Sequence, residues 1–403
     1  MRRTVITGIG AVSVLGLTRE AIATSLYEGR SGIVSDPSRA EMGFRSTLTG
    51  RIEGFACPAL SRKKKKSMPL FVQQAWEALR QAIEDASLPE DTLQSGRCGL
   101  VFGNDSSVGS AFELAKLTET GMPTSDLGSG HMFRIMNSTV SMNLGVLYGV
   151  RGCSWTASGA CASGLLAVGQ AFDCIRLGRQ DVMLCGGAQE LVPESVCAFD
   201  GLGAFSVNSD PARASRPFDA TRDGLVPSGG AAALVLEERE HAINRGARIL
   251  GEICGWGFSS DGTSLISPSP EGLGRAMRMA LEDARTAPDE ITEINAHATS
   301  TVLGDAMEAT NLKGIFGEAM PRVLALKSLA GHEFWMAGAS QLVYSAIMAR
   351  KGFLAGSPNF ERGEGATAGI PVLVHTLNEP PRRMLCNAAG FGGCNASMVV
   401  DFS

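Results

Sequence analysis

Apolar residues along this chain fall into short β-prone runs that end in glycine or other small residues. Most runs are followed by a stretch whose apolar positions recur at helical spacing. TVITGIGAV (4–12) predicts a strand leading into a turn, and TREAIATSLY (18–27) a helix capped by Thr18. An irregular section runs to residue 60, and a helix is predicted from about Pro69 to Ala86. RCGLVFGND (97–105) and QDVMLCGGAQE (180–190) read as buried strands, and SAFELAKLTET as a helix. The apolar, β-prone segment Leu144 to Trp155 reads as a strand, and LLAVGQAFDCIRLG as a helix stopped by Gly178 after Arg176. ASRPFDATRDGLVPSGGAAALVLEERE (214–240) predicts a loop followed by a strand.

From about residue 247 the order starts again. ARILGEICGWGFSSD repeats the strand-then-turn character of the N-terminus. ITEINAHATSTVLGDAMEATNLKGIFG (291–317) parallels RCGLVFGNDSSVGSAFELAKLTETG. VLALKSLAGHEFWMAGASQLVYSAIMARKGF (323–353) parallels the stretch around Cys161, with His332 falling where Cys161 falls. The expectation is a duplicated α/β chain, residues 1–246 and 247–403, with sheets covered by helices on both faces and a shared site between the halves.

At 403 residues with 44% hydrophobic content there is material for one large core or two fused ones, and a net charge of −5 excludes a basic field for nucleic acid or anionic membrane. No run of about 18 apolar residues suggests a membrane span, and MRRTVITGIGAV enters a strand pattern directly rather than a signal peptide. The ten cysteines are scattered without CxxC or zinc spacing, so no metal site is expected and reduced thiols in a cytoplasmic protein are the default. GIGAVS has Ser13 where a dinucleotide loop needs its third glycine, which removes a Rossmann site.

The candidate chemistry centres on TASGACASG, Thr156 to Gly164. A strand, a small-residue bend and a helix would set Cys161 at a helix N-terminus, where free N–H groups and the helix dipole favour a thiolate. A lone cysteine is as readily a small buried hydrophobe, and a nucleophile needs partners. NAHATST supplies His297 beside Thr299 and Thr301, KSLAGH supplies Lys327 and His332, and NAAGFGGCN places Phe391 between glycines.

Together ACASG, HATST, KSLAGH and GFGGCN, with VITGIG and ASRPFDATRDG, resemble the β-ketoacyl-acyl carrier protein synthases, condensing enzymes of the thiolase-fold superfamily. CAFDGLGAFS and the Cys-His-His set are more similar to the type I bacterial enzymes. The resemblance implies a layered αβαβα architecture and, without cofactor or metal, acyl transfer to Cys161, decarboxylation of a malonyl thioester and Claisen condensation. It implies an oxyanion hole from the N–H groups of Cys161 and Phe391, with His297 and His332 as donors to the malonyl carbonyl. It further implies Lys327 paired with Glu308, Thr299 and Thr301 on the phosphopantetheine arm, and Phe391 as a gate. An acyl carrier protein would dock on Arg62, Lys63, Lys64, Lys65 and Lys66. The enzyme would be a homodimer, or a heterodimer with a chain-length subunit, and HMFRIMNSTVSMN (131–143) would lie near its axis.

This chain departs from the family pattern at Ala298, Val302 and Cys394, and most sharply at Glu333, Phe334 and Trp335 after His332. Two aromatics there are expected to shorten or reshape the acyl channel, and Glu333 to raise the proton affinity of His332 unless it points elsewhere. The pathway is accordingly either fatty acid or specialised polyketide or polyene synthesis. A CoA-dependent thiolase or acyltransferase and a non-catalytic chain-length or scaffold subunit are the alternatives.

Overall fold

The computed structural model describes residues 2–403. Ten strands form one sheet: β1 (Thr4–Ser13), β2 (Cys98–Gly103), β3 (Ser154–Ala157), β4 (Val182–Gln189), β5 (Gly230–Glu238), β6 (Gly251–Ser260), β7 (Glu293–Asn295), β8 (Arg322–Leu324), β9 (Arg383–Gly390) and β10 (Cys394–Asp401). Their order is β8-β7-β9-β10-β6-β1-β5-β4-β2-β3. Read outward from the centre, β1-β5-β4-β2-β3 and β6-β10-β9-β7-β8 are the same arrangement. In each, the first two pairings are antiparallel and the last two parallel. The halves join where β1 meets β6, antiparallel, through Thr4–Ile253, Val5–Glu252 and Ile6–Gly251.

The longer helices are α1 (Arg19–Glu28), α2 (Leu70–Asp85), α3 (Val108–Glu119), α4 (Thr139–Tyr148), α5 (Ser163–Arg176), α6 (Pro193–Gly201), α7 (Gly272–Ala284), α8 (Val302–Phe316) and α9 (Ala337–Lys351). Thr18 caps α1 as its position predicts, its hydroxyl accepting from the N–H of Ala21 at 3.2 Å. α5 and α9 pack on each other and on strands of both halves, which makes them the middle layer. They are apolar nearly all round because they are covered on both sides. α2 covers the first half-sheet from outside, and α7 and α8 cover the second, each over its own apolar cluster. The layers are therefore αβαβα, built twice.

Two expectations need correction. Leu144 to Trp155 is not one strand: Leu144 is a buried residue of α4, and the strand begins only at Ser154. The overlay of His332 on Cys161 is displaced by about one turn. Cys161 is the middle residue of the 3-10 turn Ala160–Ala162 that leads into α5, and the equivalent turn before α9 is Phe334–Met336, centred on Trp335. The preceding residues, Ala160 and Phe334, share a positive φ of 48° and 40°.

Candidate active site

The turn that carries Cys161 is held from both ends. Ser163 Oγ accepts from the N–H of Gly159 at 2.9 Å and donates to the carbonyl of Ala160 at 2.6 Å. Beneath it, a Cβ at Gly103 would fall 2.4 Å from the Ser163 carbonyl carbon, so only glycine lets β2 run this close to the start of α5. The second half delivers the other groups from the loops at its strand ends. His297 follows β7, His332 follows the turn Lys327–Ala330, and Phe391 follows β9.

These residues meet. His332 Nε2 lies 3.1 Å from Cys161 Sγ, and the His297 and His332 rings sit edge to face with centroids 5.4 Å apart. The backbone N–H groups of Cys161 and Phe391 both favour the ionised form of that sulfur. A cavity of about 260 Å³ reaches these groups from the surface, between the loop at 261–269, the start of α8 and the turn at Phe391. Thr299 and Thr301 line it with their hydroxyl oxygens 3.0 Å apart, and Thr301 also accepts from the N–H of Gly304 at 3.2 Å to cap α8.

Lys327 does not line that cavity. It lies against a space of about 10 Å³ shared with Glu333, Gln341 and Tyr344, and its Nζ has no hydrogen-bond partner among the described residues. The expected Lys327–Glu308 ion pair is not formed. Glu308 instead accepts from the N–H groups of His297 (2.9 Å) and Ala298 (2.7 Å) and from Asn387 Nδ2 (3.1 Å), so it fixes the backbone that carries His297. Sequence reasoning missed Asn387 in this role, although it stands at the head of the glycine-rich turn. It also missed Ser300 and Asp305, which anchor the 216–218 loop: Ser300 Oγ accepts from the N–H of Arg216 at 3.0 Å and Asp305 from that of Phe218 at 2.7 Å.

Burial governs the electrostatics. It pushes the Cys161 thiol up to about 12, against the opposing pull of the Lys327 ammonium and the two backbone N–H groups, so the helix-start position does not yield a standing thiolate. Burial, and then the Lys327 charge, hold both imidazoles well below the usual histidine range; they are neutral at pH 7. Lys327 is itself drawn down to about 8 by burial, with Glu308 and then Glu333 opposing. Glu333, raised to about 7 by burial, turns away from His332. It accepts from Ser340 Oγ at 2.5 Å and Tyr344 OH at 2.6 Å and does not raise the imidazole.

The basic run forms a short exposed helical turn, Arg62–Lys65, continuing to Lys66, with Lys65 half-buried. Among the described residues none of the five is engaged in an ion pair. Within residues 131–143, Met132, Phe133 and Met136 are exposed while Thr139, Val140 and Ser141 are buried.

Residues 1–242 match the family model described as "Beta-ketoacyl synthase, N-terminal domain", and residues 250–361 the one described as "Beta-ketoacyl synthase, C-terminal domain". The chain is 39% identical over 405 residues to 3-oxoacyl-(acyl-carrier-protein) synthase 1 of Haemophilus influenzae, spanning 99% of this chain and 98% of that one. A beta-ketoacyl synthase from Burkholderia phymatum has a similar structure, with a TM-score of 0.94 at 35% identity over the full length of both. The ishigamide ketosynthase/chain length factor has a TM-score of 0.91 at 30% identity, over 100% of this chain and 99% of that one. With two family models covering residues 1–242 and 250–361 and a relative 39% identical over nearly the whole of both chains, the chain belongs to the β-ketoacyl synthase family.

Proposed function

We propose that this protein is an elongating 3-oxoacyl-acyl carrier protein synthase in which Cys161 carries the acyl group and His297 and His332 drive the decarboxylating condensation. The observation that carries this reading is the contact of Cys161 Sγ with His332 Nε2 at 3.1 Å, at the end of a cavity open to the surface. In the first step the sulfur attacks the carrier-bound thioester. A carbon–sulfur bond forms to Cys161, the bond to pantetheine breaks, and the proton given up by the Cys161 thiol ends on the departing sulfur. The thiol is not ionised beforehand, so proton removal accompanies attack. The carbonyl oxygen takes up negative charge between the N–H groups of Cys161 and Phe391.

In the second step a malonyl thioester occupies the cavity. Neutral His297 and His332 donate N–H to its carbonyl, CO₂ leaves, and the enolate carbon attacks the acyl thioester, forming a carbon–carbon bond, breaking the bond to Cys161 and releasing its sulfur as a thiolate that takes a proton from water. Lys327 acts from behind as a positive charge that adds to burial in keeping both imidazoles unprotonated. Thr299 and Thr301 would hold the pantetheine amides, and Phe391, half-buried at the mouth, would gate it. None of these steps asks for a metal or organic cofactor. The division at residues 246 and 247 would place the nucleophile in one half and the imidazoles in the other.

The carrier is an acyl carrier protein, as the relative's name gives for that enzyme, docking on Arg62–Lys66. A dimer is supported by β3, which is paired on one side only, and by exposed Met132, Phe133, Met136 and Val146 nearby in the chain. The second subunit is an identical copy or a chain length factor, as named for the ishigamide protein. Ten free cysteines fit a reducing compartment such as the cytoplasm.

The test is adduct mapping by mass with acyl- and malonyl-carrier substrates. An acyl adduct on Cys161 with malonyl-dependent product is expected, and Cys161→Ala should show neither. Condensation in Cys161→Ala would overturn the assignment; an adduct without condensation would point to a CoA-type acyltransferase, and silence to a chain-length subunit.

A further inference from the structure

Once Cys161 is acylated, the acyl chain has two directions to take. The cavity is one, but the second carrier arm must use it to bring malonyl to His297 and His332. The chain must therefore turn to the apolar side of Cys161, and that side is filled. Cys161 packs there in one cluster with Val196, Phe205, Phe334 and Trp335, none of which lines the cavity, and with Leu225 at the cavity edge. Phe199 joins them, its ring centroid 5.1 Å from that of Phe334 and 6.5 Å from that of Trp335, while Phe334 and Trp335 are 5.6 Å apart.

Trp335 closes this wall as a bolt. Its Nε1 donates to Ser106 Oγ at 3.3 Å, joining the turn before α9 to the loop that leads into α3. The backbone of that turn has no room to yield. A Cβ at Gly187 on β4 would fall 2.7 Å from Met336 Cα and 2.9 Å from the Trp335 carbonyl oxygen. The indole itself is held only by that one side-chain hydrogen bond. The repeat adds a second, independent argument: Trp335 occupies the place in its half that Cys161 occupies in the other, and the two turns abut across the middle layer.

We infer that Trp335, held by Ser106, is the specificity-determining residue for acyl length and restricts this enzyme to short acyl thioesters, acetyl to butyryl. The inference rests on the proposed acylation of Cys161, in which the new carbon–sulfur bond to Cys161 replaces the one to pantetheine and the pantetheine sulfur leaves as a thiol. Forcing further methylenes into a packed wall displaces side chains from their rotamers, which lowers the rate of acylation about ten- to hundredfold.

The experiment is single-turnover acylation of the intact protein, read as the mass of the Cys161 adduct, with acetyl-, butyryl-, octanoyl- and decanoyl-carrier thioesters. Wild-type protein should be acylated by butyryl at least about tenfold faster than by octanoyl. Trp335→Ala should bring the octanoyl-to-butyryl ratio up at least about tenfold. Ser106→Ala, which keeps the indole and removes only its anchor, should move the ratio the same way by a smaller factor, and it decides the matter if Trp335→Ala does not fold. Equal wild-type rates for butyryl and octanoyl, or a ratio unmoved in the folded variants, would overturn the inference while leaving Cys161 as acyl acceptor. No adduct with any thioester would overturn the acylation reading and this inference with it.

Discussion

Lys327 shows at the scale of one residue how this site is held in a state that the fold resists. Burial draws its ammonium from 10.5 to about 8, and no protein group hydrogen-bonds it. The unfolded chain binds that proton more tightly, so stability rises with pH between about 8 and 10.5. Below about 8 the charged lysine costs the fold about 3 kcal/mol. Lys327→Met, which keeps the volume and removes the charge, should raise Tm by a few degrees at pH 7 and by less at pH 9.5. It should at the same time slow acylation, because the charge that lowers the Cys161 thiol is gone. A Tm that falls at pH 7 would show the ammonium to be stabilising. The groups facing Lys327 are Glu308, Glu333, Cys161 and Asp305, and Glu333 is the second in influence. Glu333→Gln removes a carboxylate that favours the protonated lysine, so the alkaline limb of the acylation profile should move down from about 8 by about one pH unit. A limb that stays in place would show that Glu333 does not act on the lysine.

At the scale of elements, the strand–turn units make and present the site, and most of them are legible in the residues. The glycine-ended runs at 97–105 and 180–190 became β2 and β4, and the Pro69–Ala86 periodicity became α2, because each pattern is dominated by burial on known faces. Leu144–Trp155 misled because an apolar helix end and a short strand were read as one run. Gly149, with φ 66°, closes α4 and divides them. Cys161, His297, His332 and Phe391 could be read as a constellation because each lies in a small-residue bend after a β-prone run. The recessed seat of Lys327, the backbone grip of Glu308 and the outward turn of Glu333 could not, since side-chain direction inside a buried loop is set by neighbours distant in sequence. The end of β9 gives an element-scale test. Gly390 has φ −120°, which any residue adopts, but a Cβ there would lie 2.8 Å from the Gly159 carbonyl oxygen and 3.0 Å from the Cys161 nitrogen. Gly390→Ala should therefore part the strand end from the nucleophile turn and spoil the convergence of the Phe391 and Cys161 N–H groups. Acylation should fall by roughly 10²–10³ with far-UV circular dichroism unchanged, the loss typical of one missing oxyanion donor.

For the whole molecule, the repeat explains why the site lies between halves, and the charge distribution explains how a carrier would find it. Ten strands in two identical arrangements meet at β1 and β6, and loops of both halves line the cavity. The surface around this frame is net acidic, at −5 overall, so the run Arg62–Lys66 is a local reversal of sign and not part of a general basic field. None of its five cations is spent on an ion pair among the described residues, which leaves their field free to act on an acidic carrier approaching from solvent. Steering of this kind works through encounter and is screened over about 8 Å at physiological ionic strength, so it should appear in KM and fade with salt, while kcat, set inside the cavity, changes little. Replacing Lys63, Lys64, Lys65 and Lys66 together by glutamine should raise KM for an acyl-carrier substrate by about tenfold at low salt. The increase should be smaller for a small acyl thioester that has no acidic surface. The gap between wild type and variant should close as sodium chloride is raised. Steady-state kinetics with both substrates across a salt series reads all three quantities. An equal KM increase for carrier and small thioester would place the effect in the fold of the 62–66 turn, and a gap that persists at high salt would mean that direct contacts, not steering, do the recognising.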